Sequence, residues 1–353
     1  MSTVDADVEI AEVPVVDDGA EVTEARIARV GDITVRRLMP LRARRSVGAW
    51  CFVDHYGPLS VDGVAGMQVP PHPHIGLQTV TWLLRGTVLH RDSLGSEQMI
   101  RPGQLNLMTA GRGIAHAEES PAERDPQLHG VQLWVALPDI SRQAVPAFEH
   151  HAELPAARVG EFAITVFMGE LAGARSPATA FSPIVGAELA ADGPARASLA
   201  LDPAFEHIIF VASGAAEVGG VRLEPGRLLF LAPGHEQASV AAPGGSRLFL
   251  LGGVPLGEPL LMWWNFVART PEEITAAAAA WREDRFGTVG GYRGERLAAP
   301  PLDAVHLRAP RLSPGGAGGP ERRGDCGRSP ARVLLTGIAA GQGRCGARAA
   351  GRL

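Results

Sequence analysis

Thr79-Val80-Thr81-Trp82-Leu83-Leu84 is a run of β-branched, aromatic and aliphatic residues that stops at Arg85-Gly86. A short apolar run bounded by turn residues predicts a strand. The same grammar recurs in Gly130-Val131-Gln132-Leu133-Trp134-Val135-Ala136-Leu137, stopped by Pro138-Asp139. It returns in His207-Ile208-Ile209-Phe210-Val211, which runs into Ser213-Gly214, and in Leu228-Leu229-Phe230-Leu231, set between Pro225-Gly226 and Pro233-Gly234. Short strands at roughly ten-residue spacing predict an all-β chain built as a sandwich or barrel.

The two halves of the chain echo each other. Strand, small-residue turn, strand, Pro-Gly turn, strand runs from Val80 to Met108 and again from Ile208 to Leu231, with Pro102-Gly103 and Pro225-Gly226 in matching places. Duplication of a small β-barrel is the economical reading. One helix is expected, over about 271–284. Thr270 is its N-cap, Pro271 opens the first turn, Glu273 stands three residues after the cap, and five consecutive alanines follow.

Composition narrows the chemistry. All 33 basic residues of the 353-residue chain are arginine, so a Schiff-base or phosphate-binding lysine is excluded. Three cysteines (Cys51, Cys326, Cys345) are too scattered for a disulfide framework or a thiolate metal site, and Cys51 reads as an inert buried thiol. No apolar run reaches membrane-span length. Eight acids and no base precede Arg26, the reverse of a signal or transit peptide, so a cytoplasmic location is expected.

Charge is unevenly spread. From Leu307 onward nine arginines face two acids, giving this glycine-rich tail +7 and leaving -12 for the rest of a chain whose net charge is -5. The tail has one short apolar run, Val333-Leu334-Leu335, and cannot bury enough surface to offset its ordering entropy. It also lacks aromatic stacking residues, which argues against a nucleic-acid partner. The expected organisation is therefore a disordered acidic segment over 1–25, a first barrel over 26–150, a second barrel with the helix over 151–298, and a disordered tail over 299–353.

The chemistry rests on two spaced pairs. His72-Pro73-His74 is followed 42 residues later by His116-Ala117-Glu118. On a strand, i and i+2 point to one face, so two neighbouring strands would gather all four side chains around one ion. Three imidazoles and a carboxylate (His72, His74, His116, Glu118) suit a divalent metal. An octahedral ion so held keeps two open positions, as in non-haem Fe(II) oxygenases; zinc accepts the same ligands.

Neighbouring residues are weighed against the site. Gln78, four residues beyond His74, shares the inward face if the strand stays regular, and otherwise faces solvent or a neighbouring strand. Met108, Gln132 and Trp134 line a pocket or belong to alternating core strands. Gly111 and Gly113 predict a tight loop before His116, with Arg112 either anchoring it or meeting an anionic substrate. His55, His90 and His129 lack partner spacing and read as core or loop residues.

Several stretches give the chain a family resemblance: Phe52-Val53-Asp54-His55-Tyr56-Gly57-Pro58, His72-Pro73-His74, His90-Arg91-Asp92-Ser93-Leu94-Gly95, Met108 to Glu118, Leu133-Trp134-Val135, Gly252 to Pro259 and Phe266 to Ile274. Over about Arg26 to Gly287 the sequence resembles the pirin family of the cupin superfamily. The resemblance implies a bicupin, two stacked jelly-roll-type barrels, with iron in the first held by His72, His74, His116 and Glu118. The second, with Glu206-His207 and His235-Glu236 but no HxH, is expected to be metal-free. Many pirins carry HPHRGFE where this chain reads His72 to Gln78 as HPHIGLQ, so Gln78 stands where a carboxylate is usual. Trp263 to Arg269 also departs from the family's glycine- and methionine-bearing version.

Three functions compete under this resemblance. The leading one is an Fe(II)-dependent dioxygenase of quercetin-like flavonols (quercetin 2,3-dioxygenase type), using a small phenolic substrate and O₂, with Glu118 as ligand and general base. The second is a non-enzymatic iron-dependent regulator acting through a protein partner. The third is a structural cupin holding zinc.

Overall fold

The computed structural model describes residues 15–16, 20–30, 33–41, 44–302 and 307. The expectations of a disordered tail and of a disordered start fall largely on residues outside that set.

Among the described residues the chain is all-β with one helix, as its strand-and-turn pattern implies. A seven-stranded antiparallel sheet has the spatial order Ala147–His151, Leu105–Thr109, Leu77–Arg85, Gln127–Ala136, Trp50–Ser60, Ile33–Met39, Arg26–Val30. Packed over it is a four-stranded sheet ordered Gln68–His74, Ile114–Glu119, Val88–Asp92, Glu97–Ile100.

The second half repeats this plan. Its large sheet contains, in order, Ala20–Glu24, Arg227–Leu231, Glu206–Ser213, Ser246–Gly253, Ile184–Ala191, Phe162–Leu171 and Ala156–Val159. Its small sheet is ordered Ala195–Ala200, Gln237–Ala242, Ala216–Val218, Val221–Leu223. Apart from the outer strands Ala147–His151 and Ala20–Glu24, which take the same place from different points in the chain, the two orders correspond strand for strand, so the duplication suggested by the Pro-Gly turns is also topological.

The large sheets stack back to back. Val53, Val80, Trp82, Leu105, Leu107, Val131 and Leu133 on one meet Phe167, Ile184, Ile208, Phe210, Phe249 and Leu251 on the other. Each fully buried aliphatic or aromatic side chain there contributes about 1.5–3 kcal/mol. This layer explains why Thr79 to Leu84 reads as a continuous run: the strand is buried on both faces. Period-2 alternation then turns Thr79, Thr81, Gln132, Trp134 and Asp54 into the first unit. Polar bonds also cross the layer: Trp82 Nε1 donates to Glu188 Oε2 at 2.7 Å, and Trp50 Nε1 to the Val185 carbonyl at 3.0 Å.

Two placements correct the expected organisation. Ala20–Glu24, set aside with the acidic first 25 residues, is a strand paired with Arg227–Leu231 of the second half. Val22 is buried in that half's core, which offsets the cost of ordering an acidic segment. The helix, Pro271–Arg282, and the hairpin Leu261–Trp263/Phe266–Ala268 follow the second half in sequence but pack on the first. Ile274, Ala278, Trp281 and Phe266 lie with Ala115 and Ala117, the back of the strand that carries His116 and Glu118. The helix start is as expected: Thr270 accepts from the Glu273 backbone N–H, while the Glu273 carboxylate accepts from the Arg269 N–H.

Candidate metal centre

Three i,i+2 pairs lie side by side on the inner face of the first unit's small sheet. His116 stands opposite His72 on one side and Asp92 on the other, while Glu118 stands opposite His90. A bulge at Pro70-Pro71 absorbs a register shift, because the prolines supply no ladder donor there. All six side chains are buried.

The nitrogens of His72, His74 and His116 lie within 4.8 Å of one another, and so do the donor atoms of His90, His116 and Glu118. The four residues read from the spacing are thus brought into two overlapping groups that share His116. His72 Nδ1 is 2.8 Å from the Pro70 carbonyl, and His74 Nδ1 is 2.9 Å from that of Asn265. A carbonyl can only accept, so both rings are protonated at Nδ1 and each Nε2 carries a lone pair. His74 Nε2 and His116 Nε2 stand 3.1 Å apart. Buried, neutral, backbone-oriented imidazoles beside a carboxylate are the donor chemistry a divalent cation requires, so these residues fit a metal.

Burial sets the protonation states. It lowers the His72 imidazole to about 4, the nearby His90 adding to the fall against the Pro70 carbonyl. His74 and His116 are driven well below the ordinary histidine range, again by burial first and then by neighbouring imidazoles. Glu118 is raised by burial, against the pull of His90 and of the Thr81 hydroxyl. Thr81 Oγ1 donates to Glu118 Oε1 at 3.0 Å and lies 3.1 Å from Gln132 Oε1.

Beside these groups Trp134 stacks on Phe52 at 4.1 Å between ring centroids and meets the His74 ring edge-on at 5.2 Å. Met108 belongs to the same buried apolar cluster as both aromatic residues. The Arg37 guanidinium lies over Phe52 and pairs with Asp54 through two 2.8 Å bonds. Met108, Gln132 and Trp134 therefore face the metal-ligand side.

Gln78 does not. Its side chain lies on the face turned toward the second half, where Nε2 donates to Thr109 Oγ1 at 3.0 Å and to the Thr179 carbonyl at 3.1 Å. The expectation of an inward Gln78 assumed one regular strand from His74. Instead Gly76, at φ +68°, turns the chain between two strands that belong to different sheets, and parity is lost. A Cβ at Gly76 would sit 2.1 Å from the Val267 carbonyl oxygen, so no other residue makes this turn without shifting backbone. The Gly76 N–H donates to the Gly111 carbonyl, which ties the turn to the glycine loop before His116. That loop is anchored by backbone, the Arg112 N–H donating to the Ala144 carbonyl, while the Arg112 side chain is exposed.

His90 was missed. Read as a core or loop residue, it joins His116 and Glu118 instead. The available signal was His90-Arg91-Asp92, a third i,i+2 pair of ligand types. His55 and His129 do meet, Nε2 to Nε2 at 2.9 Å, away from this site. Cys51 is fully buried, which pushes its thiol up to about 12 and makes it inert as a nucleophile.

Residues 32–135 match the Pirin family and residues 186–287 the Pirin C-terminal cupin domain. The chain belongs to the pirin family. A Pseudomonas aeruginosa pirin relative, named provisionally as a quercetin 2,3-dioxygenase, is 48% identical over 282 residues, covering 79% of this chain and 89% of its own. Human pirin is 32% identical over 226 residues, 62% of this chain and 77% of its own. The crystal structure of a quercetin 2,3-dioxygenase from Acinetobacter baumannii superposes with a TM-score of 0.80 at 41% identity, covering 82% of this chain and 98% of that one. These likenesses bear out the bicupin reading. Among the described residues of this pirin, no helix is long and apolar enough to cross a membrane.

Proposed function

We propose that this pirin is a metal-dependent dioxygenase of quercetin-like flavonols, with one Fe(II) held by His72, His74, His116 and Glu118. The observation that carries the reading is the convergence of the three buried imidazoles, with Glu118 sharing His116. When bound, such a metal supplies Lewis acidity and open positions for a phenol oxygen and O₂. Zn(II) accepts the same donors, and metal analysis of the purified protein decides between them.

The chain's own residues supply the rest. Glu118 Oε1 accepts from Thr81, which leaves Oε2 to take the phenolic proton. Burial raises this carboxyl and makes it a stronger base than an exposed glutamate. The Trp134-Phe52 stack and Met108 form a flat apolar wall that orients an aromatic substrate and excludes water.

The test is anaerobic reconstitution with Fe(II), followed by exposure to O₂ while quercetin absorbance is recorded. Turnover above that of free iron is expected, and Glu118→Gln should reduce kcat at least tenfold. Full metal occupancy with no turnover above free iron overturns the reading. The activity is supported by the names of the Pseudomonas and Acinetobacter relatives, at 48% and 41% identity.

A further inference from the structure

The proposed ligands do not use His90 or Asp92, yet both are buried beside them. Asp92 Oδ1 accepts from the backbone N–H groups of Leu94 and Ser96, both at 2.9 Å. Its other oxygen, Oδ2, lies 3.2 Å from His90 Nε2. His90 Nδ1 lies 3.4 Å from His116 Nδ1, and the ring is stacked on Phe148 at 4.5 Å.

These contacts admit one proton order when each ring carries a single proton. A carboxylate only accepts, so His90 is protonated at Nε2 and its Nδ1 is an acceptor. His116 must then donate from Nδ1, and its Nε2 is left as a lone pair facing His74. Among the described residues, His116, unlike His72 and His74, has no backbone carbonyl bonded to Nδ1. We propose that Asp92 and His90 form a relay of positioning residues that fixes the tautomer of His116 and so makes its Nε2 a metal donor. This rests on the metal-centre reading above.

Asp92→Asn separates the relay from mere packing. Leu94 and Ser96 hold the amide oxygen where Oδ1 was, so an NH₂ replaces Oδ2 and donates to His90. The order then reverses: His90 donates from Nδ1, and His116 places its proton on Nε2. The probe is Co(II), added to the full-length protein, with affinity measured by chelator competition, coordination by the visible spectrum, and folding by melting of the metal-free form.

Wild type should bind one Co(II), and Asp92→Asn should bind roughly 10–100-fold more weakly with an altered spectrum. His90→Phe, which keeps the stack on Phe148, should also weaken binding. His90→Gln, whose amide accepts at one atom and donates at the other, should recover part of the loss. If wild type binds Co(II) and both Asp92→Asn and His90→Phe match it in affinity and spectrum, the relay is overturned alone. A wild type that takes up no Co(II) overturns the metal centre, and the relay with it.

Discussion

His74 Nε2 and His116 Nε2, both on buried side chains, face each other across 3.1 Å, while His74 Nδ1 is committed to the Asn265 carbonyl. Asn265 lies in the hairpin that follows the second half, so a ligand near the start of the chain is oriented by a residue 191 positions later. The orientation of His74 therefore depends on a hairpin distant in sequence.

Metal should stabilise this arrangement. A cation present at a hundred times its Kd adds about 2.7 kcal/mol to unfolding, so metal loading should raise the melting temperature and chelation should reverse it. His116→Ala should melt like metal-free wild type and gain nothing from added metal. An equal metal-dependent shift in His116→Ala would contradict the assigned site.

Gly76→Ala tests the turn that separates the His74 strand from the Thr79 strand. The positive φ alone costs about 1–3 kcal/mol in a non-glycine residue. The approach of a Cβ to the Val267 carbonyl adds to that by pushing the hairpin away. The denaturation midpoint should fall, and metal affinity should fall with it, because the displaced hairpin holds Asn265. A variant with wild-type stability would refute the strain.

The layer between the halves is probed by Trp82→Phe. The indole N–H is a donor to Glu188, a carboxylate pushed up by burial and held down by that bond and by Arg247. Removing the donor leaves the buried carboxylate short of a partner, at a cost of about 1–3 kcal/mol. Urea denaturation should show it as a lower midpoint.

Acid sensitivity should trace in part to His207, buried in the second half with no hydrogen-bond partner on Nδ1 among the described residues. Burial lowers it from 6.5 to about 4, aided by His235 and opposed by Asp202. Between these values the unfolded chain binds more protons than the native one. Its share of stability is therefore complete above 6.5 and is lost progressively as pH falls toward 4. From pH 7 to pH 5 the loss is about 2 kcal/mol. His207→Leu should flatten that part of the pH dependence measured by urea denaturation, and an unchanged slope would exclude this group as its source.

Much of this was legible in local sequence. Strand runs, Pro-Gly turns and the Thr270-Pro271 cap are short-range signals, and the i,i+2 spacing of His72/His74 and His116/Glu118 needs only strand parity. Of the two readings of Gln78 the inward one fails and the neighbouring-strand one holds, because a single positive-φ glycine ends one strand and begins another in a different sheet. His90 reads as a core or loop residue in the sequence, because its place opposite Glu118 depends on register between strands rather than on local spacing. Ala20–Glu24 was set aside on composition, whereas its place is decided by an open edge on a sheet two hundred residues away.

The sequence alone determined which residue types could carry chemistry here: no amine, three imidazoles and a carboxylate in paired spacing, on a duplicated β-scaffold. Only the tertiary structure decided which of them meet. Side-chain parity along a strand is a local property of the backbone, but register between strands, the closure of one sheet over another and the hairpin that orients His74 are non-local, and no short stretch of sequence encodes them.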